Sequence, residues 1–150
     1  MKMRSILAAS ARLHEGANRL LVQEMAARGL GDLPASCGDI LRVLFRTEGL
    51  TLAALAARIG RTKSTASVMV ERLEKLGYVQ KVRSPEDARA VVLSLSPAGR
   101  ALESEVKAIS EVVNERICRG LSEAEADALE LLLERAACNF TPEDLPEKRR

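Results

Sequence analysis

The chain has 150 residues, 47% of them hydrophobic but only 2% aromatic, with 29% charged and a formal net charge of +2. That is room for one domain with a real core. The charge density, and the lack of any apolar run near the ~20 residues of a spanning helix, exclude an integral membrane protein; the near balance of signs excludes a polycation.

The first predicted element is a long helix over residues 3–28, with Ile6, Leu13, Ala17, Leu20, Leu21 and Met25 along one side. Its basic start lacks the long apolar core and cleavage site of a leader peptide. Gly29 and Gly31 break it, and a helix from about Ser36 to Thr47 follows, carrying Ile40, Leu41, Val43, Leu44 and Phe45 on more than one side, which predicts a central position. Thr51–Ile59 forms a short helix with Leu52, Leu55, Ala56 and Ile59 on one face. Gly60 and Arg61 link it tightly to another helix, N-capped by Thr62, with an apolar stripe of Ala66, Met69, Val70, Leu73 and Leu76. Gly77 ends that helix as a left-handed cap. The period then changes to two, with SPED as the turn signal, so residues 79–83 and 90–95 read as a β-hairpin in which Val91, Leu93 and Leu95 share a face. Pro97 opens a long helix at its first turn, running through Val106, Ile109 and Val113 to Cys118. After Gly120, Ser122 and Glu125 form a capping box for an unusually apolar last helix containing Leu129, Leu131, Leu132 and Leu133. The tail 141–150 is polar and expected to fray.

Two short helices joined through a glycine link are the sequence form of a helix-turn-helix, and a hairpin directly behind them makes it a winged helix. The predicted fold is mainly α with a small β-hairpin wing. A winged helix-turn-helix core spans 33–97, flanked by helices over 3–28 and 98–138. Between Thr51 and Ser96 there are eight basic residues against four acids, about +4 locally, which leaves about −2 for the rest. A basic centre with acidic flanks is the footprint of a nucleic-acid reading head.

The candidate partner is therefore double-stranded DNA. The helix behind Thr62 fits a major groove, where short side chains let the backbone approach closely. Lys63 and Arg72 are candidate phosphate contacts, and Ser64, Thr65 and Ser67 candidate base-edge contacts. The basic wing carries Lys81, Arg83 and Arg89. Arg89 suits a narrow minor groove, and Asp87 either bonds turn amides or holds the Arg89 guanidinium. A winged-helix module that binds protein partners is the alternative, but it has no need of such a basic face.

These residues carry a resemblance. LTLAALAARIGRTKSTASVMVERLEKLGYV, then SPEDARAVVLSLSPAGR with its Asp87-x-Arg89 pair and Ser96-x-x-Gly99 exit into a long helix, make residues 33–100 similar to the MarR family of bacterial transcription regulators. The chain departs from the family's usual pattern at Ala88, where a second wing Arg is common, and at Val68, where Arg or Leu is common. The resemblance implies a dimer held by the terminal helices, which suits their surplus of apolar surface. It also implies an operator that is a palindrome, and release by an effector bound between the first, second and long post-wing helices. His14 and Cys37 are the candidate residues at that pocket's edge; Cys37, at a helix start, is also the candidate for a lowered thiol pKa and an oxidative input. The hydroperoxide-sensing branch uses a Cys on the first helix, which this chain lacks.

No phosphate loop, zinc spacing or nucleophile elbow is present, so no enzyme activity, cofactor or metal is expected. Three widely spaced cysteines fit a reducing cytoplasm better than a disulfide framework.

Overall fold

A computed structural model describes residues 4–140. Met3, at the start of the first predicted helix, and the tail 141–150 lie outside the described residues. The elements run α1 (Ile6–Ala27), a 3-10 turn (Ala35–Cys37), α2 (Gly38–Arg46), α3 (Leu52–Arg58), α4 (Lys63–Lys75), β1 (Val79–Arg83), β2 (Val91–Leu95), α5 (Pro97–Ala101), α6 (Glu103–Ile117) and α7 (Glu123–Ala137). Each predicted element is found, with two changes of detail. The second predicted helix opens as the 3-10 turn. The long post-wing helix is interrupted at Leu102, which lies between α5 and α6.

The centre of the core is α2, where Ile40, Leu41 and Leu44 are fully buried. Leu55 of α3, Ala66, Val70 and Leu73 of α4, and Val79, Leu93 and Leu95 of the hairpin close around it. Thr51 and Thr62 cap α3 and α4 by accepting the amides of Ala54 and Thr65, each at 3.2 Å. Gly60 and Gly77 have φ of +62° and +79°, so each reverses the chain where a side chain would strain it.

The hairpin is antiparallel with Val79 opposite Leu95 and Arg83 opposite Val91. Leu93 also bridges back to Leu50, exchanging bonds with Leu50 and Gly49. This extra pairing buries β2 on both sides near its middle. Val92 is buried, while Val91, which alternation puts on the face of Leu93 and Leu95, stands half exposed toward the wing tip.

The exit from the wing is closely packed. Ser96 caps α5 by accepting the Gly99 amide at 3.0 Å, and its hydroxyl donates to the Gly77 carbonyl. The Ser96 amide donates to the Tyr78 carbonyl at 3.0 Å. A Cβ on Gly99 would lie 2.0 Å from that same carbonyl oxygen, so the motif's glycine is required by contact, not by backbone angle. Backbone cannot yield as a side-chain tip can, so Gly99→Ala should destabilise the protein by about 3 kcal/mol. A denaturant midpoint unchanged in Gly99→Ala would show that α5 sits more loosely than this.

Candidate nucleic-acid interface

The buried stripe of α4 leaves the opposite side of the helix to solvent. Ser64, Val68, Glu71 and Lys75 follow one another at three- and four-residue steps and are all exposed. Lys63, Thr65 and Arg72 flank that line and are exposed as well, whereas Ser67 is partly buried. The Thr62 hydroxyl is committed to the helix end, donating to Thr65 Oγ1 at 2.9 Å besides capping its amide. That is a positioning role and not a free contact. Arg72 leans toward the Asp32 carbonyl at 3.5 Å, at the edge of the face.

In the wing the bases divide. Lys81 is held by Glu74 of α4 at 3.0 Å, and Arg83 donates to the Ala88 carbonyl at 2.7 Å. Both therefore brace the hairpin as well as carrying charge on the wing. The Ser84 hydroxyl accepts the Glu86 and Asp87 amides, and Asp87 Oδ1 accepts the Arg89 amide at 2.9 Å. Of the two roles open to Asp87, the turn-amide bond is the one observed. The Arg89 guanidinium has no side-chain partner among the described residues and is exposed. Glu74 was not legible as the brace of Lys81, because an acid on a basic face reads as solvated charge until its partner is known.

A second feature lies behind the reading head. A cleft of about 190 Å³ opens between α1, α2 and α6, walled by Leu21, Met25, Leu33, Val106, Ile109 and Val113, with Asp39, Arg42, Ser110 and Asn114 as its polar groups. Arg42 is paired with Asp39. Neither residue expected at such a pocket lines it. His14 is exposed on the first half of α1. Cys37 is 1% exposed, its thiol facing the Met69 carbonyl at 3.8 Å. Its pKa is raised, not lowered: burial outweighs the opposing influence of Ser36 and the Arg72 charge. This holds although Cys37 is the N-cap residue of α2.

The comparisons with known proteins agree with this geometry. A model described as the MarR family matches residues 31–90. The chain is 30% identical over 84 residues to the transcriptional regulator SarZ of Staphylococcus haemolyticus, covering 56% of this chain and 57% of that one. The chain thus spans little more than half the length of that relative. A probable transcriptional regulator from Pseudomonas aeruginosa superposes with a TM-score of 0.78 at 28% identity, covering 88% of this chain and 96% of the other. A Cys-to-Ser variant of MarR from Escherichia coli, solved with operator DNA, has the same fold at a TM-score of 0.74 and 21% identity, over 86% and 91% of the two chains. The fold and the reading head define a winged helix-turn-helix protein. Over residues 31–90 it is similar to the MarR family.

The buried thiol yields a prediction with a definite sign. A folded-state pKa above the unfolded value means that Cys37 favours folding below the unfolded pKa, and that this contribution is lost as pH rises through the folded one. Stability should therefore fall above pH ~8.5, and Cys37→Ala should remove that part of the decline. In thiol labelling of the native protein, Cys118 and Cys138 should react while Cys37 stays protected. Rapid labelling of Cys37 would refute the burial argument.

Proposed function

We propose that the chain is a cytoplasmic, homodimeric transcriptional regulator that binds a palindromic operator as a repressor and is released by a small molecule in the α1–α2–α6 cleft. The observation that carries the DNA reading is the division of charge in the head. The wing's other bases are tied inward, while Arg89 is held out by its own turn. A protein-docking surface has no use for that arrangement, whereas a groove-probing arginine depends on it. The Escherichia coli relative solved with operator DNA supports the same reading.

The dimer follows from α7. It buries none of its residues, and Leu131, Leu132 and Leu133 are 56%, 58% and 43% exposed. A 15-residue helix without tertiary packing is marginal in water. Ile6 and Leu7 at the start of α1 are equally bare, so a second copy has an apolar surface to cover. Two heads then meet two half-sites ~34–36 Å apart.

Release requires that a ligand bind one head spacing better than the other. The cleft joins α2 of the head to α1 and α6 of the flanking helices, so an occupant there contacts both bodies. An oxidative input through Cys37 is unsupported, since its thiol is sealed and its pKa is raised.

A salt titration of binding to random duplex tests the DNA reading, because a steep log–log slope reports displaced counterions. Arg89→Ala should lower that slope by about one unit per head without lowering thermal stability. Asp87→Ala should weaken binding in the same direction although it removes a negative charge, because the turn that aims Arg89 is lost. Tighter binding by Asp87→Ala would reduce the wing to a plain electrostatic patch. For the dimer, Leu132→Asp should sediment as a monomer at micromolar concentration, since an unpaired charge in the interface costs several kcal/mol, about 3 or more.

A further inference from the structure

Val68 is the anomaly of α4. It is 67% exposed, in the line Ser64, Val68, Glu71, Lys75 directly opposite the buried stripe. Packing does not select a valine there, because the side chain covers nothing. Helix propensity does not select it either, because a β-branched residue is a poorer helix former than alanine or the polar straight chains. Its neighbours on the same face, Ser64, Glu71 and Arg72, are all polar.

We propose that Val68 reads the 5-methyl group of a thymine in each operator half-site. This rests on the DNA-binding reading above and deepens it. The major groove displays donors and acceptors at every base pair but only one apolar group, the thymine methyl. An exposed apolar side chain at the centre of a groove-facing helix therefore has one counterpart on the floor of the groove. Reach agrees with this. Valine is short, so it meets the floor only if the helix comes close, and the residues at the entry (Thr62, Ser64 and Thr65) are short as well. Charge agrees too. Glu71, one turn further on the same line, repels phosphate oxygens, so this line faces base edges while Lys63 and Arg72 meet the backbone from its margins. The line carries no arginine to fork onto guanine, and its one basic residue, Lys75, is the last residue of α4, two turns beyond Val68, so around Val68 it offers a methyl contact beside an acceptor for an exocyclic amino group.

The test uses the full chain and the duplex it selects from a random pool. Each thymine of the selected half-site is replaced in turn by deoxyuridine, which removes only the methyl. For the parent, one position per half-site should lose about fourfold in affinity, the worth of one buried methyl. Val68→Ala should bind the thymine duplex about that much more weakly and show no difference between thymine and deoxyuridine at that position. Ser64→Ala should keep the difference. Val68 is exposed and alanine favours helix, so folding is not at stake in the variant. A parent indifferent to deoxyuridine at every position, or a Val68→Ala protein that still loses fourfold, overturns the assignment while leaving the DNA reading intact. A parent that enriches no sequence from the pool overturns both.

Discussion

The seating of α5 on the backbone of Tyr78 is the contact on which the arrangement depends. Within a few residues it joins four segments: the end of α4 through the Gly77 carbonyl, the start of β1 through Tyr78, the end of β2 through the Ser96 amide, and the first turn of α5 through Gly99. The Gly77 and Tyr78 carbonyls and the Ser96 and Gly99 amides there are main chain, and the Ser96 hydroxyl that links two of them is held from both sides. The reading helix, the wing and the helix that leaves the head are therefore tied together at one point. A side chain at position 99 would wedge the joint open. The small residue is therefore a condition for rigidity, and rigidity is what lets an event at one end of the head be felt at the other.

That rigidity gives the cleft its leverage. From the joint, the chain continues through Leu102 into α6, whose Val106, Ile109 and Val113 form one wall of the cleft. α2, the other wall, is the most deeply buried helix of the head. Arg28 ties the end of α1 to α6 through Glu105 at 2.9 Å, so the third wall is linked to the second. An occupant that spreads α6 from α2 cannot be absorbed by side-chain motion in the head, where packing is complete. It must appear as a change in the angle between head and flanking helices. In a dimer that angle sets the distance between two recognition helices, and a duplex accepts only one such distance per turn.

Much of this was legible in the sequence because its signals were local. The caps expected at Thr62 and Ser122 are one-residue events with a fixed partner two or three positions on, and both accept the expected amide, as Thr51 and Ser96 also do. The apolar stripes placed α2 at the centre for the same reason. What was not legible depended on contacts between distant residues. Alternation put Val91 on one face with Leu93 and Leu95, but how far that face stays covered depends on elements outside the hairpin, and Val91 is half exposed. The tie of Lys81 to Glu74 was hidden because Glu74 is seven residues away, on another element. Cys37 was expected to have a lowered thiol pKa from its place at a helix start; it is the N-cap residue of α2, but burial in the core raises the pKa instead. The cleft could be expected only as a place; its lining comes from three helices that no short window contains.

Several cations of the head are held in fixed places. Glu74 neutralises Lys81, the Ala88 carbonyl occupies Arg83, Arg58 is turned onto Thr47, and Arg72 lies against the Asp32 carbonyl. Such surface pairs add under ~1 kcal/mol each to folding, so stability alone is a weak reason for so many. Their common effect is to hold long, flexible side chains in fixed places before any ligand arrives. An untied lysine loses rotamer freedom on contact with phosphate, whereas a tied one has lost it already. The head therefore keeps its net charge but presents it on a surface of set shape, in which Arg89 and the short residues of α4 stand in a braced frame. A surface built that way discriminates by fit.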